Sequence, residues 1–114
     1  MLTQSHKMCI FNLMILQNYP ENKFRLEIKS LIGKYLDLNK RQLIVFGSRV
    51  NGKASKWSDI DVGILGSERI PTYIMGNIKD DLEEMPILYK IDVVDFASVS
   101  QKFRNIALQS YEQI

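Results

Sequence analysis

Two aspartates, Asp59 and Asp61, lie at the start of an apolar run that continues to Leu65. In a β-strand, residues i and i+2 project from the same face, about 6.6 Å apart at a rise of ~3.3 Å per residue. Two such carboxylates repel each other, and a bound divalent cation turns that repulsion into attraction. Carboxylate oxygens suit hard cations such as Mg²⁺. The pair indicates a metal site, although solvated carboxylates at a strand end are the alternative for this motif alone.

A glycine-serine pair, Gly47 and Ser48, follows an earlier apolar run over residues 43–46, with ten residues between Ser48 and Asp59. Glycine permits a tight turn and close approach of the backbone to a ligand. Backbone N–H groups at the start of a helix attract anions. The turn, and a short helix predicted over residues 49–53, therefore indicate a cradle for phosphates. Together with the carboxylates it predicts a site for a nucleoside triphosphate and its magnesium.

Three further side chains are candidates to contact the nucleotide. Ser48 can donate hydrogen bonds from its hydroxyl and its backbone, and Arg49 can grip phosphate oxygens with two donors. Lys53 is a weaker candidate, because a solvated helix face explains it equally well. Trp57, two residues before Asp59, either shields the site, stacks on a base or packs in the fold.

A third carboxylate is expected if the site holds two metal ions. Asp92 and Asp95 both lie on a third apolar run, residues 89–96, and project from opposite faces of a strand. We favour Asp92, because it lies deeper in the predicted strand, where an unpaired carboxylate is costly. Asp95 lies near the strand end, where it can cap the following turn.

Helical and strand periodicities alternate along the chain. Ser98 and Gln101 fit a capping box at the start of the last helix, and Val99, Phe103 and Ile106 mark its predicted inner face. Helices alternating with strands predict a layered α/β domain. The predicted helices cover residues 3–17, 21–38, 49–53, 71–85 and 98–110, and the predicted strands cover residues 42–46, 59–65 and 89–96.

Composition narrows the class of protein. A chain of 114 residues predicts one domain, and a net charge of +2 is too small to indicate bulk binding of nucleic acid. The single Cys9 excludes an intrachain disulfide and a cysteine zinc site, as in a reducing cytoplasm. The longest apolar stretch, residues 8–16, is too short to span a bilayer. We expect a soluble, cytoplasmic protein.

The first predicted helix, residues 3–17, is apolar on two sides. A helix of this kind is normally buried on both sides. It is either an additional core helix or a contact surface for another copy of the chain or another protein.

Three separated motifs resemble one family. The segments at residues 47–52, 58–62 and 91–96, and the ending at residues 103–106, are similar to the minimal nucleotidyltransferases (MNT proteins) of the DNA polymerase β superfamily. The resemblance covers residues 21–114, so we expect a nucleotidyltransferase domain there and an N-terminal helical extension over residues 1–20. The fold it implies is α/β (α+β), a small mixed sheet flanked by helices and similar to the polymerase β palm.

The resemblance also implies roles for individual residues. Asp59 and Asp61 would bind magnesium, and Asp92 would join them to activate the attacking hydroxyl. The implied reaction is in-line attack on the α-phosphorus of a nucleoside triphosphate such as ATP, with release of pyrophosphate. The β- and γ-phosphates would be held by Gly47 and Ser48, with Arg49, Lys53 and Ser58 as further nucleotide-binding candidates.

Members of this family are usually paired with a helical partner protein. The partner is either a substrate-binding subunit or a HEPN toxin, which an MNT antitoxin neutralises by transferring AMP to a tyrosine. We therefore expect a helical partner, and a homo-oligomer is a further possibility. The alternatives are an antitoxin that acts by contact alone and a transferase acting on a small molecule or an RNA end.

Overall fold

The structure, a computed structural model, describes residues 20–47, 50 and 59–114. The predicted helices over residues 3–17 and 49–53 therefore lie wholly or mostly outside the described residues. No helix in the described ranges has the length and apolar character needed to cross a membrane. The elements are α1 (Glu21–Gly33), β1 (Gln42–Phe46), β2 (Ile60–Leu65), α2 (Thr72–Glu83), β3 (Ile91–Asp95), α3 (Gln101–Ala107) and β4 (Tyr111–Gln113).

The strands form one mixed sheet in the order β3-β2-β1-β4. Strand β1 pairs antiparallel with both β2 and β4. Strands β2 and β3 pair in parallel, with α2 as the connection between them. A mixed sheet with flanking helices confirms the predicted fold class.

Helices α1 and α2 cover one face of the sheet, here called the helix face. Apolar residues at i, i+4 and i+8 of α1, Phe24, Ile28 and Ile32, are fully buried, because helical periodicity places them on one stripe. Burying a side chain of this size stabilises the fold by roughly 1.5–3 kcal/mol. The strand residues beneath the helices alternate along each strand: Leu43 and Val45 in β1, Ile60, Val62 and Ile64 in β2, and Val93 in β3.

The opposite face, here called the open face, carries a smaller apolar cluster of Ile44, Phe46 and Phe96. The rings of Phe46 and Phe96 meet edge to face, with centroids 5.2 Å apart. Gly63 lies beneath this contact, and a Cβ on it would lie 2.5 Å from Phe96 Cε1. Helix α3 packs on this face without a fully buried residue.

Helices α1 and α3 are shorter than predicted. Helix α1 stops at Gly33 instead of Leu38, and the next residues form turns; glycine is a poor helix former. The last helix starts after Ser100, not at the capping box predicted from Ser98. The Ser100 hydroxyl accepts a hydrogen bond from Phe103 N at 3.1 Å, whereas the Ser98 hydroxyl donates to Asp95 O.

The end of the chain corrects the predicted last helix. Helix α3 ends at Ala107, and residues 111–113 form β4. The predicted inner position of Ile106 is wrong, since this residue is 58% exposed. Tyr111 is held by pairing with Phe46 of β1, a long-range contact that local periodicity does not reveal.

Candidate active site

Two carboxylates from neighbouring strands lie side by side on the open face. The parallel register of β2 and β3 pairs Asp61 with Asp92. Asp59, two residues before Asp61, comes immediately before β2 and is partly exposed. The topology therefore brings the three aspartates of the predicted site to one end of two adjacent strands.

These carboxylates influence one another electrostatically. The pKa of Asp61 is raised to about 6, first by burial and then by the negative charges of Asp92 and Asp59. Each of these influences disfavours the ionised form of Asp61. A cation near the three groups would reverse the effect of the two neighbouring charges.

Lys90 lies close to the cluster and was not identified from the sequence. Its Nζ is 3.8 Å from Asp92 Oδ1, and the Asp92 side chain is 44% exposed. Residues 90 and 92 share a strand face by their i, i+2 spacing, so the sequence was sufficient to predict that Lys90 lies near Asp92. The lysine partly balances the charge of Asp92.

The donor chemistry of the three aspartates fits a hard divalent cation. Within the described ranges, however, no three acidic, histidine or cysteine side chains are already grouped to hold a metal ion. The three carboxylates would therefore have to come closer together before they could share a cation. The side chains that could hold Mg²⁺ are Asp59, Asp61 and Asp92.

Gly47 lies directly against this cluster. Its φ of +80° is in the left-handed region, which a side chain rarely adopts. A Cβ at this position would also collide with Asp61 Oδ2. The turn is closed by a hydrogen bond of 3.0 Å from Val50 N to Gly47 O. Glycine is thus required both for the backbone conformation and for the space beside Asp61.

The remaining predicted nucleotide contacts, Ser48, Arg49, Lys53 and Ser58, lie outside the described residues, as does Trp57. Their roles stay predictions. Gly47 alone represents the predicted phosphate cradle in the part of the chain that the structure describes, and it lies beside the carboxylates.

Asp61 and Asp92 line a cleft of about 840 Å³. Ligand sites in proteins typically enclose roughly 300–1,000 Å³. The cleft has basic residues, Lys79 and Lys90, and an aromatic wall that includes Phe103. It is large enough for a nucleotide and carries charges of both signs.

The expectation that Asp92 lies deeper than Asp95 is wrong. Asp95 is only 5% exposed, and its carboxylate accepts hydrogen bonds from Ile70 N at 2.8 Å and Ala97 N at 3.0 Å. The second bond caps the turn after β3, as expected for Asp95. Backbone donors satisfy this buried carboxylate, whereas Asp92 is the one of the two that lies beside Asp61.

Known proteins share both the sequence features and the fold. Residues 16–114 match the family "Polymerase beta, Nucleotidyltransferase". A protein of Haemophilus influenzae described as "Probable protein adenylyltransferase MntA" is 36% identical over 66 residues, 58% of each chain. The chain thus matches less than two thirds of that relative's length.

Two solved structures have a similar fold. A crystal structure of a toxin-antitoxin with AMP-PNP gives a TM-score of 0.62 at 22% identity, over 75% of this chain and 68% of the other. A mutant of the toxin-antitoxin MntA-HpeT gives 0.58 at 21% identity, over 79% and 69%. At these identities the likeness concerns the fold, while the match over residues 16–114 establishes the family. The chain belongs to the polymerase beta nucleotidyltransferase family.

Proposed function

We propose that the protein is a Mg²⁺-dependent nucleotidyltransferase that transfers AMP from ATP to a partner protein within a toxin-antitoxin pair. The observation that carries the proposal is the placement of Gly47 against Asp61, which is itself paired with Asp92. A left-handed glycine beside clustered carboxylates can bring a phosphate chain next to a bound cation. Family membership and the adenylyltransferase name of the relative support the chemistry.

Different groups of the chain would bind the metal and the phosphates. Asp59, Asp61 and Asp92 would hold magnesium, which supplies charge neutralisation to the phosphates. The backbone at Gly47, with Ser48, would fix the β- and γ-phosphates. Orientation of this kind provides much of the rate enhancement in phosphoryl transfer.

The acceptor is a hydroxyl group of the partner, which attacks the α-phosphorus in line with the leaving group. A bond forms between the acceptor oxygen and the α-phosphorus, and the bond to the bridging oxygen breaks, so that pyrophosphate leaves. The acceptor proton passes to the carboxylate of Asp92, which is exposed enough to receive it from outside the fold. The product is an AMP ester on the partner.

The partner we propose is a helical protein, either a HEPN toxin or a substrate-binding subunit. The two structural neighbours are themselves described as toxin-antitoxin structures, one of them with AMP-PNP. A cytoplasmic location and a homo-oligomer stay predictions from the sequence. In this setting the chain acts as the antitoxin or as the catalytic member of the pair.

A transfer assay tests the proposal. The protein is incubated with Mg²⁺, ATP labelled on its α-phosphate and the protein encoded next to it. We expect label on that partner, no label after chelation of the metal, and no label with the Asp59→Asn/Asp61→Asn variant. Asp80→Asn, which changes an exposed carboxylate on α2, is the matched control and should transfer normally.

The second candidate is an antitoxin that neutralises its partner by contact. It is favoured by the ion pair of Asp92 with Lys90 and by the separation of the acidic side chains in the described ranges. Absence of label, together with suppression of toxicity by the Asp59→Asn/Asp61→Asn variant, would establish this candidate and reject the enzyme.

A further inference from the structure

A small cavity lies beside Gly47 on the open face. Its volume is about 390 Å³, within the range of roughly 300–1,000 Å³ found for ligand sites. Most of its lining residues are apolar, and two of them, Gln109 and Ser110, carry an amide and a hydroxyl. The lining residues are Phe46, Gly47, Phe103, Ile106, Ala107, Gln109 and Ser110.

Phe103 is an exposed aromatic ring among the apolar lining residues. Its ring is 40% exposed, although it packs edge-on against Phe46 at 6.1 Å and against Phe96 at 5.9 Å between centroids. An exposed aromatic ring forgoes the stabilisation that full burial would give. The two neighbouring rings leave part of the Phe103 surface open to a ligand.

The ring is also held in place by its helix. Ser100 caps the start of α3 through Phe103 N, and Arg104 Nη1 donates a hydrogen bond of 3.2 Å to Phe96 O. These contacts tie α3 to the end of β3. A side chain with few rotatable bonds on an anchored helix binds a flat ligand with little loss of conformational entropy.

The cavity and the carboxylate cleft are adjacent. Phe46 and Phe103 line both, and Gly47, which lies in the wall of the cavity, contacts Asp61. A ligand that fills the cavity and extends past these rings would therefore reach Asp61 and Asp92. A nucleotide has this form, with an aromatic base at one end and phosphates at the other.

We propose that the cavity seats the nucleobase of the triphosphate and that Phe103 is its stacking surface. A nucleobase has flat π-faces and a hydrogen-bonding edge, which match the apolar lining residues and the Gln109 amide, a group that both donates and accepts. Stacking on an aromatic ring tolerates any base, so Gln109 is the residue placed to discriminate between bases. The inference rests on the proposed function, since it assigns the base end of the same substrate.

Calorimetric titration of the full chain tests the inference with two ligands, ATP and inorganic tripolyphosphate, each with Mg²⁺. Because Phe103→Leu removes the ring on which the base would stack, it should weaken ATP binding roughly tenfold. Its affinity for tripolyphosphate, which has no base, should not change. Tyr73→Leu removes another exposed ring, on α2, and should leave both affinities unchanged.

A second variant covers the case in which Phe103→Leu does not fold. Phe103→Trp keeps a stacking surface, and its added indole fluorescence should be quenched by ATP and not by tripolyphosphate. Unchanged ATP affinity in Phe103→Leu, an equal loss for both ligands, or absence of ATP-specific quenching overturns the inference. If the wild-type chain binds neither ligand, the proposed function fails as well, which separates the two failures.

Discussion

The two faces of the sheet differ in what they bury. The helix face buries a mainly aliphatic core beneath α1 and α2, including Ile28 and Ile78. The open face carries the carboxylates of Asp61 and Asp92 and a short helix without a fully buried residue. Since clustered charges oppose folding, the difference indicates that packing on one face stabilises a fold whose other face holds mutually repelling groups.

Strand β3 shows the same difference within a single strand. Asp95 is buried and accepts two backbone hydrogen bonds, one from Ile70 and one from Ala97. Asp92, on the other face, lies beside Asp61 and is partly exposed. The Asp95 carboxylate therefore stabilises the fold by binding two backbone N–H groups, whereas the Asp92 carboxylate adds negative charge to the candidate site.

The largest expected effect is on AMP transfer, which should depend on Asp92 and not on Asp95. Asp92→Asn should lower AMP transfer by about 100-fold or more, the scale seen when one stabilising group is removed from an active site. Asp95→Asn should keep normal transfer at temperatures where it is folded. Label transfer and thermal unfolding are measured on both variants, and an equal loss of transfer would contradict the division between the faces.

The next largest effect is on the free energy of unfolding, which should depend on Asp95 and not on Asp92. Asp95→Ala should lower the free energy of unfolding by about 2 kcal/mol, because Ile70 N–H and Ala97 N–H lose their acceptor. Asp92→Ala is the matched control and should change it by less than about 0.5 kcal/mol, as at most surface positions. Urea unfolding monitored by circular dichroism measures both, and similar losses would show that the two carboxylates are equivalent.

The charge on Asp61 should make stability depend on pH. Its pKa is raised from 3.8 to about 6, so the folded chain binds more protons than the unfolded chain between these values, and stability falls as pH rises through them. The shift corresponds to about 3 kcal/mol, and solvent screening of this partly exposed group reduces the expected loss to about 1 kcal/mol.

Urea unfolding at pH 4 and pH 7, without divalent cations, measures this loss against Asp61→Asn, which should lack this contribution. Added Mg²⁺ should restore the stability of the wild-type chain at pH 7 by binding its native state. A wild-type chain and variant with the same pH dependence would show that the Asp61 carboxylate does not oppose folding.

The smallest effect concerns α3, which depends on local capping more than on burial. Ser100→Ala should lower the free energy of unfolding by about 0.5 kcal/mol, the low end for loss of an N-cap. Ser100→Asp retains a capping oxygen and is the control. Thermal unfolding measures both, and a loss of several kcal/mol would show that α3 is as integral to the core as α1.

The sequence predicts the buried strands well and their partners poorly. The predicted bounds of β1 are confirmed, and β2 starts one residue later than predicted, because strands with buried faces carry a strong apolar pattern. Strand β4, over Tyr111–Gln113, is missed because three residues with two polar side chains carry no such pattern. Its conformation comes from pairing with β1.

In the candidate site, too, local features can be predicted from the sequence and contacts between strands cannot. The shared face of Asp59 and Asp61 follows from their spacing, and the glycine at position 47 suggests a tight turn. The contact between Gly47 and Asp61 depends on antiparallel pairing, and the neighbourhood of Asp61 and Asp92 depends on parallel register. Neither pairing can be read from a local pattern.

The parallel pairing of β2 with β3 has a consequence for folding. Asp61 and Asp92 come from strands that pair only after the intervening α2 has crossed over the sheet. Closing such a crossover precedes any benefit from the contacts it makes. A growing polypeptide that has emerged only as far as α2 therefore lacks Asp92, one of the three aspartates of the site, and protease protection by divalent ions should begin only once β3 has been synthesised.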